Sequence, residues 1–297
     1  MKGYTTSPSV SVIVPVRNGE KTIEKLIEAL LSQNYQKSYT QIIIVDNSSQ
    51  DHTIEIIRKY PVILEHENKL ASSYAARNKG LSVANGEIIA FTDADCIPKQ
   101  DWIKEGVCAL IEQNSDMAGG KISFLLSARP SAAELIDSVT FMQNEQNIKN
   151  RRAAVTANLF VRKELFGKIG LFKEVQSGGD FQWTQKATQN GFSLIYTERA
   201  IVDHPARNLR ELLGKSRRVV MGILDIPRKR GAYFKIFYIV IRQLTPIPSK
   251  NILKSLIAGR KHKDFLKRFF AIWSVSYLLQ LNQLAGLLSL IFKIRKN

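Results

Sequence analysis

The chain has 297 residues, 44% apolar and 23% charged, a globular balance long enough for one large α/β domain with an appendage or for two modest domains. Its formal charge of +17 is uneven: residues 1–206 hold 23 basic and 23 acidic side chains, whereas 207–297 hold 20 basic ones against Glu211, Asp225 and Asp264. A neutral body with a basic tail points to an anionic partner for the tail alone, and two cysteines twelve apart, Cys96 and Cys108, exclude a disulfide framework or a C-x-x-C zinc site.

In chain order, Met1 to Pro8 has no apolar signal-peptide core, so the catalytic part is expected in the cytoplasm. Ser9 to Val16 is a strand of strong β formers, followed by the polar turn Arg17-Asn18-Gly19. Ile23, Leu26, Ile27, Leu30 and Leu31 recur at helical spacing and predict a helix over 21–32. A strand over 41–45 runs into Asp46-Asn47-Ser48-Ser49, and a helix is expected over 53–60. A third strand (62–67) and a helix (72–83) lead through Asn85-Gly86 to the apolar run Ile88 to Phe91, which ends in Asp93-Ala94-Asp95. Strand–helix alternation of this kind predicts an α/β fold with a mostly parallel sheet.

Beyond Cys96 the pattern predicts a helix over 101–113, a strand over 118–126 and one helix over 132–147. A short strand over 157–161 precedes a helical segment over 162–169. Gly178-Gly179-Asp180 opens a helix over 181–190 closed by Gly191, and strands over 192–196 and 200–203 end at His204.

Four features fall on loops after strands, where the crevice of an α/β sheet forms: Pro15 to Asn18, Asp46 to Ser49, Asp93 to Asp95, and the Gly178-Gly179-Asp180 turn. Two carboxylates at one strand end repel unless a cation sits between them, and Mg²⁺ or Mn²⁺ is commonly shared between carboxylates and substrate phosphates. Alone, Asp93 and Asp95 would more readily be a solvated turn after a strand, Asp46 could equally cap the next helix, and Asp180 could be a plain N-cap. The glycine-rich dinucleotide fingerprint and the P-loop are absent, which excludes NAD as the nucleotide and an ATPase as the activity.

The ordered segments VSVIVPVRNG, IIIVDNSSQDHT, ARNKGLSVANGEIIAFTDADC, ANLFVRKELFGKIGLF and SGGDFQWTQKATQNGF, spanning about 9–204, resemble the family 2 glycosyltransferases. The resemblance implies a GT-A fold: a Rossmann-like, mixed but mostly parallel sheet flanked by helices, here followed by a basic, apolar helical C-terminal region. It implies a catalytic domain over 1–206, a nucleotide-sugar donor (a UDP-sugar favoured), a divalent metal, Mg²⁺ or Mn²⁺, and inversion at the anomeric carbon. Pro15, Val16, Arg17, Asn18, Asp46, Asn47, Arg77, Lys79, Asp93 and Ala94 would then line the donor site. Asp95, with Asp93 and His204, would hold the metal; Asp180 would be the general base, with Gly178, Gly179 and Asn158 on the acceptor side. The chemistry agrees, because an attacking hydroxyl must lose a proton while the leaving diphosphate needs charge compensation.

Two departures stand out. Many members carry a glutamate before the base, where this chain has Gly179, and the Q/R-x-x-R-W motif of processive synthases is replaced by Lys215 to Val219 without tryptophan. The second departure predicts transfer of one sugar per encounter.

The tail over 207–297 alternates apolar and basic stretches, including 233–244 and Arg260 to Lys263. Ala271 to Phe292 carries no charge but contains Gln280, Asn282, Gln283 and several serines, so an interfacial helix on an anionic membrane is favoured over a spanning one. A soluble helical subdomain ranks third. The expected place is the cytoplasmic face of the membrane, beside a glycan or lipid-linked acceptor. Three other function classes fit less well: a nucleic-acid-binding protein would need a recognisable module, a sugar-phosphate nucleotidyltransferase a triphosphate loop near Pro15, and an inactive scaffold is disfavoured by the retained Asp93, Asp95 and Asp180.

Overall fold

The computed structural model describes residues 7–223 and 265–295. By their contacts they fall into two units, 7–124 with 142–205 and 125–141 with 206–223 and 265–295.

The first unit is a three-layer α/β structure. Its strands are β1 (Val10–Val16), β2 (Thr40–Asp46), β3 (Ile63–His66), β4 (Ile88–Thr92), β5 (Ile97–Pro98), β6 (Met117–Leu125), β7 (Asn158–Arg162) and β8 (Leu194–Pro205), in the sheet order β3-β2-β1-β4-β7-β6-β8-β5. The pairs β2·β3, β1·β2 and β1·β4 are parallel, while β7 is antiparallel to β4 and β6. Order reverses at β1: the chain moves outward to β2 and β3, then returns to the other side as β4. Such a switch point leaves a crevice at the carboxyl ends of the strands.

The apolar runs of β1, β2 and β4 serve both faces of the sheet, as buried parallel strands do. Val10, Val12, Val14, Ile42, Ile44, Ile88 and Ala90 point into one core; Ile13, Ile43, Val45, Ile89 and Phe91 point into the other. The first core is closed by α1 (Ile23–Leu31), α2 (Thr53–Ile57) and α4 (Trp102–Glu112). The second is closed by α3 (Ser73–Val83), α7 (Glu164–Ile169) and α8 (Gly179–Gln189). Gly80 lets α3 lie close on the sheet, since a Cβ there would stand 2.6 Å from Ile13 Cγ2.

Three local expectations change. The helix over 132–147 is two, α5 (Ala132–Thr140) and α6 (Asn144–Arg151), because Phe141 is extended and Met142 adopts a left-handed φ of 57°. The helix expected over 53–60 ends at Ile57, where 3₁₀-type bonds from Lys59 and Tyr60 tighten the chain before Pro61. The two strands expected over 192–203 are one continuous β8.

The second unit holds α5, α9 (Leu209–Ile223) and α10 (Phe265–Arg295) around Ala133, Ile136, Leu212, Ile272 and Leu279. Ser131 and Glu134 form a reciprocal capping box at the start of α5, and the backbone donors there lower the Glu134 carboxyl to about 2. Asp137, fully buried, accepts from the Arg207 backbone at 2.9 Å and its guanidinium at 3.2 Å. No helix among the described residues is long and apolar enough to cross a membrane. The stretches 233–244 and 260–263 lie outside the described residues.

Candidate active site

The candidate site is built on the carboxyl ends of β1, β2 and β4 and on the start of α8. Asp46 ends β2 and is 1% exposed. Its Oδ2 accepts from Ser49 N at 3.2 Å and lies 3.9 Å from His66 Nδ1, but its buried Oδ1 has no hydrogen-bond partner. An orphaned carboxylate oxygen is costly, of order 1–3 kcal/mol or more for a charged group, and it marks a place where a ligand donor fits. Around it the loops are bound to each other. Asn18, at a left-handed φ of 52°, donates from its backbone to Ser49 Oγ and accepts from Gln50 N, both at 2.8 Å. Asn47 N donates to Val16 O, and the Asn47 amide donates to Glu67 O and Leu70 O at 2.7 Å. Pro15 and Val16 are buried and Arg17 is exposed.

Asp93 follows β4 and accepts from Arg77 of α3 at 2.5 Å. Arg77 is 3% exposed, and its Nε is a buried donor without a partner. Lys79, two positions along α3, pairs with Glu65 of β3 at 3.1 Å and so takes no hold on Asp93. Ala94 is half-buried between the two aspartates.

Asp95 Oδ2 lies 3.4 Å from Nε2 of His204 at the end of β8, a residue with no exposed surface. His204 Nδ1 is 2.6 Å from Pro205 O; a carbonyl only accepts, so Nδ1 carries the hydrogen and Nε2 is the atom turned toward Asp95. Cys96 joins them: one ligand atom from each of Asp95, Cys96 and His204 lies within 4.8 Å of the others. Burial, helped by Asp95 and Asp93, pushes the Cys96 thiol well up, and sulfur is in any case a soft ligand that suits a hard ion poorly. Carboxylate and imidazole therefore remain as the donor set, and they fit Mn²⁺ or Mg²⁺.

Asp180 lies in the first turn of α8, 8% exposed. Oδ1 accepts from Tyr74 Oη and Phe181 N, both at 2.9 Å; Oδ2 accepts from Thr156 N at 3.2 Å and Thr156 Oγ1 at 3.4 Å. Gly178 holds a left-handed φ of 80° at the helix start. Gly179 lies close against this chain's own atoms: a Cβ there would stand 3.0 Å from the Tyr74 ring and from Lys173 O. Asn158 is likewise placed in the core. It is fully buried, accepts from Trp102 Nε1 at 2.8 Å and donates to Lys121 O and Ala200 O, so its amide is spent joining β7 to its neighbours.

Sequence reasoning missed Tyr74, Thr156 and Cys96. Tyr74 sits one helical turn before Arg77, a spacing that would have flagged it; Thr156 carries no local signal.

A family model described as glycosyl transferase family 2 matches residues 11–163. Glycosyltransferase AglE of Haloferax volcanii is 37% identical over 97% of this chain and 98% of its own length. Among solved structures, the mannosyltransferase PcManGT of Pyrobaculum calidifontis, in complex with GDP-Man and Mn²⁺, has a TM-score of 0.63 at 19% identity, covering 97% of this chain and 88% of that one. TarS 1–349 of S. aureus in complex with UDP-GlcNAc has a TM-score of 0.54 at 19% identity, covering 94% and 92%. At these identities the solved structures speak for the fold.

Proposed function

Because this chain belongs to the family 2 glycosyltransferases, enzymes of glycan synthesis, here with a GT-A fold, we propose that it moves one sugar at a time from a nucleotide-diphosphate sugar to an acceptor hydroxyl, with inversion. The observation that supports this reading is that Asp46 ends β2 and Asp93 follows β4, two parallel strands either side of β1, while Arg77 and Tyr74 of a single helix reach Asp93 and Asp180.

The roles follow from the chemistry of each side chain. Asp46 Oδ1 takes a donor from the base or ribose, over a floor made by Pro15 to Asn18 and Asn47. Arg77 and Asp93 hold the ribose and sugar end, and the unpartnered Arg77 Nε offers a further donor there. Asp95 and His204 would hold Mg²⁺ or Mn²⁺, with Asp93 beside them, and the ion would compensate charge on the leaving diphosphate. Asp180 takes the proton of the acceptor hydroxyl as its oxygen bonds to the anomeric carbon. The bond from that carbon to the diphosphate breaks on the opposite face, and its electron pair stays with the phosphate oxygen. PcManGT with GDP-Man and Mn²⁺, and TarS with UDP-GlcNAc, support a nucleotide-sugar donor of this kind, a UDP-sugar being favoured.

The acceptor side rests on the tail. Phe270 is 65% exposed on α10, with Leu278 and Leu281 following on the same outward stripe, opposite buried Ile272 and Leu279. No charged residue interrupts 269–292, and basic residues stand at both ends. An apolar stripe within a strongly basic segment suits the surface of an anionic membrane and a lipid-linked acceptor.

The test is thermal stabilisation by a panel of nucleotide sugars with and without Mn²⁺, followed by determination of the product's anomeric configuration. A cognate donor at 100 Kd should add about 2.7 kcal/mol of stability. No stabilisation by any donor, or a product that retains configuration, defeats the proposal.

A further inference from the structure

Asp180 is gripped unequally. Its Oδ1 receives two short bonds, from Tyr74 Oη and from Phe181 N at 2.9 Å, whereas Oδ2 receives only the longer pair from Thr156, at 3.2 and 3.4 Å. Tyr74 is itself fixed. Its ring lies 5.4 Å from the Arg77 guanidinium and 6.0 Å from the Phe172 ring. Ser72 caps α3 through Tyr74 N and donates to Val175 O, in the loop leading to α8. Burial and the charge of Asp180 push the Tyr74 hydroxyl well above its ordinary range, so it remains a donor.

We infer that Tyr74 is a positioning residue of the transfer step: it anchors Oδ1 of Asp180, leaving Oδ2 to receive the acceptor's proton where the Thr156 hydroxyl now sits. The inference rests on Asp180 being the base. A carboxylate offers about four lone-pair sites, and all four are occupied here. The Thr156 hydroxyl at 3.4 Å is the weakest of these donors and can rotate away, so an incoming hydroxyl replaces it at the lowest cost. The tyrosine also accounts for Gly179. With the ring and Lys173 O each 3.0 Å from any Cβ placed there, a glutamate before the base would press on Tyr74 and require it to shift by a few tenths of an ångström.

Tyr74→Phe keeps the ring, its packing and the Arg77 contact and removes one hydrogen bond to a charged group. The expected result is a fall in kcat per folded molecule of about 10–100-fold, with the donor KM within about twofold of wild type. Gly179→Ala, which presses on the ring, should move kcat in the same direction, and Thr156→Val should lower it less than Tyr74→Phe. An unchanged kcat in Tyr74→Phe overturns the inference, as does a fall matched by a parallel rise in donor KM and loss of stability. A larger fall for Thr156→Val overturns the assignment of the two oxygens. Asp180→Asn, assayed alongside, separates the two readings: if it is inactive while Tyr74→Phe is normal, only the inference fails, and if it transfers sugar normally, the base assignment falls as well.

Discussion

Asp180 in the first turn of α8 and Asp46 at the end of β2 are both buried carboxylates, yet their surroundings are completed to different degrees. Every hydrogen-bonding position of Asp180 is filled by Tyr74, Phe181 and Thr156. Asp46 keeps one buried oxygen without a donor, and Arg77, beside Asp93, keeps one buried N–H without an acceptor. The surroundings of Asp180 are thus completed by the protein alone, while Asp46 and Arg77 keep buried polar atoms that the protein leaves without partners. Preorganisation suits a group that must meet a transition state; unfinished bonds suit a group that must select a substrate by leaving its absence costly.

The sharpest way to break this contrast is Asp180→Asn, expected to lower kcat by roughly 10²–10⁴-fold while donor binding, read by calorimetry, stays intact. Asp95→Ala should come next, with transfer down about 10²–10³-fold and the Mn²⁺-dependent rise in melting temperature lost. Asp46→Asn should weaken donor affinity by about 10–100-fold yet barely move the melting temperature of the ligand-free protein, since the lost oxygen has no partner there. A large loss of ligand-free stability in Asp46→Asn would mean that its role is structural. Asn158→Ala should do the reverse, costing roughly 2–4 kcal/mol of stability by stranding Trp102 Nε1 and two carbonyls, with kcat per folded molecule kept. The smallest effect is expected for Phe270→Ser, which should reduce sedimentation with anionic vesicles without changing transfer to a water-soluble acceptor.

Much of the first unit was legible from pattern. The runs Val10 to Val16, Ile42 to Val45 and Ile88 to Phe91 are apolar at every position because both faces of the sheet are covered, and β-branched residues keep them extended. The loops carrying Asp46, Asp93 and Asp180 could be located because polar residues follow such runs directly. Less could be read around 132–147, where helical periodicity continued through a backbone break made by extended Phe141 and left-handed Met142. Nor does any spacing say that 125–141 packs with 206–223 and 265–295, since Ala133, Ile136, Leu212 and Ile272 meet only across a long stretch of chain.

Sequence by itself determined the strand–helix alternation, the positions of the acidic loops and the division of charge, because these depend on short-range periodicity and composition. Tertiary structure alone decided which neighbours the functional groups have: that Lys79 turns to Glu65, that Asn158 and Gly179 serve the core, and that Tyr74 rather than a neighbouring glutamate reaches Asp180. Hydrogen bonds and exposure are set by atoms a hundred residues apart in the chain, and no local pattern encodes that distance.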